Sequence, residues 1–335
     1  MLKRKIEKDK DIKLLFVHAS NASFIDIDRE ILKKNFDLTD LSYSGKKGII
    51  GLFKGLLKSD VGFAWFEHDH AFLTVIFSKI LRKKSVVVAA GAMTLAENWE
   101  DLNPSFKSKL VAKSSAKRAD LVLAVSQYKK RSILKYVNTD KIRVVYHGFD
   151  SDRFKPSGTK ENMIVTIGEV CEANLWRKGF ELFVKTAVNF PDTQFVVIGK
   201  HSDSSIEKLR AAAPENVEFT GWISDEELIR YMQRAKVYAL LSTYESFGCS
   251  VAEAMLCGCV PVVTNRGSLP EVVGDVGFKV DYGDLKGTVK AFEKALSSDL
   301  HKEARQQIID KFPMEKREEL MVTYIRGVLG MGKRV

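Results

Sequence analysis

A chain of 335 residues is longer than one hydrophobic core comfortably serves, so two domains of about 150 residues each are expected. With 45% hydrophobic and 29% charged residues the composition is ordinary globular; no run approaches the ~18 apolar residues of a spanning helix, and the opening Met1–Lys10 lacks the apolar core of a secretion signal. The net charge of +10 is uneven: residues 1–150 hold 28 Lys and Arg against 17 Asp and Glu, the remainder 25 against 26. The first half is therefore expected to meet something anionic, whether a phosphate-bearing acceptor, a membrane surface or nucleic acid.

In chain order, short β-branched runs alternate with amphipathic segments, which predicts two doubly wound α/β units built on parallel sheets. Strands are expected at 12–18, 62–66, 85–90, 121–126 and 142–147, then at 163–168, 194–199, 237–242 and 260–265. Asp26 and Asp28 fall on an early helix. Lys46–Lys58 reads as a helix with Ile49, Ile50, Phe53, Leu56 and Leu57 along one face between lysines; its three glycines suit a core helix poorly. Such a helix would lie on an anionic membrane, although packing on its own sheet is the commoner fate of an amphipathic helix. Glu67-His-Asp-His70 reads as a strand-end loop in which His68 and His70 would supply a base or orient a substrate, or would be a plain polar turn. A domain boundary is expected near His147–Pro156, and a terminal helix over 313–330. Four cysteines, all in the second half, match no disulfide scaffold and indicate a reducing compartment. Cys257-Gly-Cys259 lacks a second ligand pair for a metal and reads as buried thiols.

The segment Ser242–Thr264 carries the most chemistry. A strand ends at Ser242, a glycine-containing loop follows, and a helix runs from about 250 to 256. Amides at such a helix start, with the positive end of its dipole, form an anion site suited to a diphosphate. Glu245 before the turn and Glu253 on the helix can accept hydrogen bonds from sugar hydroxyls beside that phosphate. Alternatively Glu245 caps the helix and Glu253 is solvated, but Glu253 stands among Val251, Ala252, Ala254, Met255 and Leu256, where a carboxylate calls for a partner.

The spacing of Glu245 and Glu253, with Glu-Ser-Phe-Gly, Ala-Glu-Ala-Met and Cys-Gly-x-Val-Pro-Val-Val around them, resembles the family 4 glycosyltransferases of the GT-B fold and their Glu-x7-Glu hallmark. The segments Phe219–Leu228, Gly267–Val273, Asp120–Ser126 and Asp281–Asp284 are also similar, so the resemblance covers the chain from about residue 118 onward. It implies two Rossmann-like doubly wound domains facing across a cleft: 1–150 on the acceptor side, 151–312 for the nucleotide-sugar, and a helix over 313–335 crossing back to the first domain. It assigns Glu253 to the ribose, Glu245 to donor-sugar hydroxyls, and Ser246, Phe247 and Gly248 to the diphosphate. Pro270 and Glu271 would shape the base pocket or simply turn the chain.

A second anion-binding element spans Gly168–Gly179. Lys178-Gly179 matches the family pattern, whereas Glu169 occupies the place of its usual Arg. Arg177 would replace that cation through bidentate contact with phosphate, or is a surface residue. In the first domain the family's Gly-Gly loop is replaced by His18–Phe24, and its His by Val88-Ala-Ala-Gly-Ala-Met93; Glu67–His70 is the substitute. The resulting expectation is a cytoplasmic, retaining glycosyltransferase, free of metal and cofactor, peripheral at the membrane, moving a sugar from a nucleotide-sugar to a glycan or lipid-linked acceptor. A GT-B phosphorylase or epimerase and a basic nucleic-acid-binding α/β protein are the alternatives; no recognised reader motif supports the last.

Overall fold

A computed structural model describes residues 9–91 and 105–331. Of the segment Val88–Met93, which stands where the family carries its His, the part after Gly91 lies outside the described residues, as do 92–104 as a whole, 1–8 and 332–335. The chain divides into two compact units, one of residues 1–148 with 314–335, the other of 149–313.

The first unit is built on a six-stranded parallel sheet in the order β2-β1-β3-β4-β5-β6. These strands are β1 (Asp9–His18), β2 (Phe36–Ser42), β3 (Val61–Trp65), β4 (Lys84–Ala89), β5 (Leu121–Ala124) and β6 (Ile142–Val144). The central β3 and β5 are buried at every position, as expected where helices cover both faces of a parallel sheet. Helices α2 (Gly45–Leu57), α3 (Asp69–Ile80), α4 (Phe106–Arg118) and α5 (Gln127–Leu134) close one core with Leu15, Val17, Ala64, Val87 and Val122. Alternate strand residues point the other way, where Phe16 stacks on Phe63 and Trp65 meets Phe24 of α1 (Ser23–Asn35). The terminal helix Met314–Val328 packs on α1: Arg317 grips Asp28 through two hydrogen bonds of 2.6 and 2.7 Å, both side chains buried. Arg317 also donates to the carbonyls of Val145 and Tyr146.

The second unit has a sheet in the order β12-β11-β10-β7-β8-β9. Its strands are β7 (Glu161–Ile167), β8 (Gln194–Ile198), β9 (Val217–Gly221), β10 (Ala235–Leu240), β11 (Val260–Thr264) and β12 (Phe278–Val280). All are parallel, and the order reverses between β7 and β10. At such a switch point the two neighbouring loops leave the sheet in opposite directions and open a crevice beyond the strands' carboxyl ends. Phe180, Phe183, Phe195 and Phe292 fill the core on one face. Cys257 and Cys259 are buried; burial pushes their thiols up to about 12 and about 11, and Cys259 points its thiol at the Met232 carbonyl (3.0 Å).

Three strands escaped the sequence reading: β2, β9 and β12. Each is an edge strand. With a neighbour on one side alone they keep polar positions, as in Phe-Asp-Leu-Thr-Asp-Leu-Ser of β2, and lack the continuous apolar run that marks a central strand.

Candidate active site

The site candidates of the second unit gather at the switch point. After β7 the chain passes Gly168 and the short helix α6 (Glu172–Arg177) to Lys178; after β10 it runs from Leu241 to Gly248 and enters helix α10 (Cys249–Leu256). The two loops are tied by a hydrogen bond from the Thr243 amide to the Arg177 carbonyl (2.8 Å). The side chain of Lys178 runs past Gly168, where an added Cβ would stand 3.5 Å from its Cε.

Lys178 Nζ meets Glu245 Oε1 at 2.5 Å, with both side chains about five-sixths buried. Ser242 Oγ donates to the same carboxylate oxygen at 2.9 Å. Burial opposes the charge on Glu245, but the ammonium of Lys178 and the guanidinium of Arg177 outweigh it and hold the carboxyl below the usual carboxylate range. The backbone under Glu245 is fixed as well: its carbonyl accepts from the Ser268 amide (3.1 Å) and hydroxyl (2.9 Å). The neighbouring Gly267 has φ +63°, and a Cβ there would stand 2.7 Å from that carbonyl oxygen. Gly267→Ala is therefore expected to cost about 1–3 kcal/mol through backbone strain alone. It should also displace Glu245 and weaken donor binding together with stability, as read by melting temperature and calorimetric titration.

Glu253 stands apart from this network. It is partly buried on α10 and, among the described residues, makes no side-chain hydrogen bond or ion pair. Desolvation raises its carboxyl to about 7; Arg153 lowers it and Asp225 raises it, but those two pair with each other at 2.6 Å. The partner that the apolar surroundings of Glu253 call for is thus not supplied by these residues. A half-desolvated carboxyl titrating near neutrality is an acceptor waiting for donors.

The start of α10 is set by Gly248, left-handed at φ +96°. The Phe247 side chain is core, stacked on Phe149 and edge-on to Phe312, so its backbone is what the site can use. Ser246 is partly buried, its hydroxyl 3.1 Å from that of Tyr244. Pro270 opens the short helix Leu269–Val273, which carries the partly buried Glu271. Arg177 is partly buried; its Nε donates to Asn174 Oδ1 at 2.9 Å, and Asn174 in turn donates to the Glu169 carbonyl. Glu169, in the place of the family Arg, accepts a short hydrogen bond from Ser202. Ser242 and Asn174, which orient Glu245 and Arg177, were not legible in the sequence: nothing but folding brings a hydroxyl or an amide to those positions.

In the first unit the reading of residues 67–70 as a loop is corrected, because helix α3 begins at Asp69, with His68 exposed at its cap. His70 is buried; its Nε2 donates to the Trp65 carbonyl at 2.5 Å. Burial lowers its pKa, making it a neutral core histidine at pH 7. Glu67 is buried too, paired with Lys129 at 2.9 Å and accepting from the Gly91 amide at 3.0 Å. Of this cluster only His68 and Asp69 reach solvent.

Two parallel six-stranded sheets with alternating helices are the architecture of the GT-B fold. Residues 149–312 match the family model of glycosyl transferases group 1, a likeness that covers nearly all of the second unit. An uncharacterised 41.2 kDa protein of the Klebsiella pneumoniae cps region is 28% identical over 53% of this chain and 52% of its own length. The 2-deoxystreptamine N-acetyl-D-glucosaminyltransferase of Niallia circulans is 26% identical over 48% of this chain and 44% of its own. The chain thus spans about half the length of the curated relatives it matches. Among solved structures, Anabaena HepE in complex with UDP-glucose matches with a TM-score of 0.80 at 17% identity, over 94% of this chain and 100% of that one. Sucrose-phosphate synthase of Thermosynechococcus elongatus matches with a TM-score of 0.75 at 17% identity, over 95% and 99%.

Proposed function

We propose that this protein is a retaining glycosyltransferase that takes a hexose from a nucleoside diphosphate sugar and transfers it to a glycan or lipid-linked sugar at a membrane surface. The observation that carries the reading is the pairing of two unlike acids at one switch point: Glu245, held ionised by Lys178 and Arg177, and Glu253, ionisable near neutrality and without a side-chain partner among the described residues. Glu253 receives the ribose hydroxyls and Glu245 the donor-sugar hydroxyls, since hydroxyls donate and carboxylates accept. The diphosphate lies on the amides from Ser246 to Gly248 at the start of α10, facing Lys178 and Arg177, while Glu271 borders the base. HepE was captured with UDP and with UDP-glucose, and the Niallia relative bears the name of an N-acetylglucosaminyltransferase; both support a nucleotide-sugar donor here.

In the reaction the bond from the anomeric carbon to the diphosphate breaks while an acceptor hydroxyl bonds that carbon and gives up its proton to the leaving phosphate oxygen, on which negative charge builds as the bond loosens. Fixed cations and amides stabilise that charge without reorganising. Lys178 and Arg177 supply the countercharge, so neither a metal nor a cofactor is required. Arg177, held by Asn174, takes over the cation that Glu169 displaces. His68 is the exposed group on the acceptor side, with His70 behind it as its support.

Calorimetric titration with UDP and UDP-glucose tests the donor reading, and the anomeric configuration of the transferred sugar, read by NMR, tests retention. Wild-type protein is expected to bind UDP, and Arg177→Ala to bind it about tenfold more weakly through loss of one charge-assisted contact. Equal affinity in Arg177→Ala would remove Arg177 from the site; no affinity for any nucleoside diphosphate, purines included, would remove the function.

A further inference from the structure

Helix α2 packs inside out. Its glycine side presses on the sheet: a Cβ at Gly55 would stand 2.7 Å from Leu15, at Gly51 3.1 Å from Leu41 and at Gly48 3.0 Å from Tyr43. With Leu52 and Leu56 these positions form its buried side. Ile49, Phe53 and Leu57, one turn apart, with Ile50 beside them, are left outside, Ile50 being 58% and Leu57 53% exposed. A helix that only covered its own sheet would turn those four residues inward and its glycines outward.

The pattern extends over the whole helical face. Among the described residues of the first unit, every exposed large hydrophobic side chain except Met331 belongs to α2, α3, α4 or α5, including Ile80 and the 81% exposed Phe106. These four helices all pack on one side of the sheet. Apart from Lys129, which is buried against Glu67, they carry 11 Lys and Arg and a single acid, Asp69, itself paired with Lys107 at 2.9 Å. On the opposite side, α1 and the terminal helix carry six basic and six acidic residues. The positive excess of the first half of the sequence is therefore laid on one face, and that face also exposes the unit's large apolar side chains.

From this coincidence we infer that the α2–α5 face of the first unit is a docking surface for an anionic phospholipid bilayer, seated by Ile49, Ile50, Phe53 and Leu57 and held by the surrounding lysines. Apolar side chains that enter the headgroup boundary beside a dense cationic field are what an anionic membrane surface selects. A nucleic acid would use the charge but leave the isoleucines and leucine in water, and a second copy would set one cationic face against another. No helix of the described residues is long and apolar enough to span a membrane, so the contact is one of lying on the surface. The inference does not rest on the proposed activity, since vesicle binding needs no donor.

The test is co-sedimentation of the full chain with vesicles of phosphatidylcholine alone and of phosphatidylcholine with 30% phosphatidylglycerol. Binding is expected to the anionic vesicles, to weaken in 0.5 M salt, and to fall at least tenfold in Ile50→Glu/Leu57→Glu. Lys46→Gln and Lys47→Gln are each expected to cost about fivefold. Calorimetric UDP binding by the same variants should be unchanged, which separates a lost surface from a lost fold. Equal binding to both vesicle types would overturn the inference. So would no binding to either, with the protein retained by duplex DNA or with a dimer that Ile50→Glu/Leu57→Glu converts to monomer.

Discussion

Replacing Lys178 by alanine is expected to destabilise the second unit by about 3 kcal/mol, because it strands a largely buried carboxylate, and, on the proposed function, to lower turnover by roughly 10²–10³ through loss of the cation assigned to the leaving diphosphate. Glu245 keeps its charge in a desolvated position because Lys178 lies 2.5 Å away and Arg177 adds to the field. Glu245→Gln in the Lys178→Ala background removes the stranded charge, so the double variant should recover most of the melting temperature and none of the transfer. A structural pair alone would recover both. Acid titration provides a separate check. A carboxyl held below its unfolded value contributes stability that is present above the ordinary carboxylate range and lost as pH falls through the folded value. The wild-type protein should therefore keep this contribution to lower pH than Lys178→Ala. Unchanged melting and unchanged turnover in Lys178→Ala would sink the assignment.

Glu253 gives the opposite signature. Its carboxyl is raised to about 7 from 4.5, so as pH climbs from about 4.5 to 7 the unfolded chain ionises while the folded one does not. The resulting penalty grows to about 3 kcal/mol and is constant above pH 7. Glu253→Gln is accordingly expected to raise the melting temperature of the ligand-free protein at pH 8 by several degrees and to leave it unchanged at pH 4. The same substitution should weaken nucleotide-sugar binding at least tenfold at pH 8, since an amide oxygen accepts hydroxyls less strongly than a carboxylate. For the wild type, affinity should rise as pH passes upward through about 7 and then level off; the variant's should be flat. A variant no more stable than the wild type at pH 8 and equally tight for the donor would show that Glu253 is merely solvated.

The two acids thus differ in what the free protein provides for them. Glu245 is neutralised within the chain by Lys178, Arg177 and Ser242. Glu253 is left with an unmet electrostatic demand, which on the proposed reading a ligand rich in hydroxyl donors meets. On that reading the site costs stability when empty and recovers it on binding.

Much of this protein was legible in its residues alone. Central strands such as Lys84–Ala89 and Val260–Thr264 announce themselves because burial on both faces demands unbroken apolar runs. The start of α10 was equally visible, because a glycine before an apolar helix leaves little choice of conformation. The uneven charge was countable, but where it would be laid was not. Tertiary structure decided that the glycine side of α2 faces the sheet, that His70 is buried while His68 is not, and that Glu245 acquires a counterion while Glu253 finds none among the described residues. Those outcomes depend on which residues distant in the chain fill the space around a side chain, as Leu15 does for Gly55 and Lys178 for Glu245. Periodicity and propensity act over a few neighbouring residues and carry no record of such encounters, whereas desolvation and Coulomb interactions depend on nothing else.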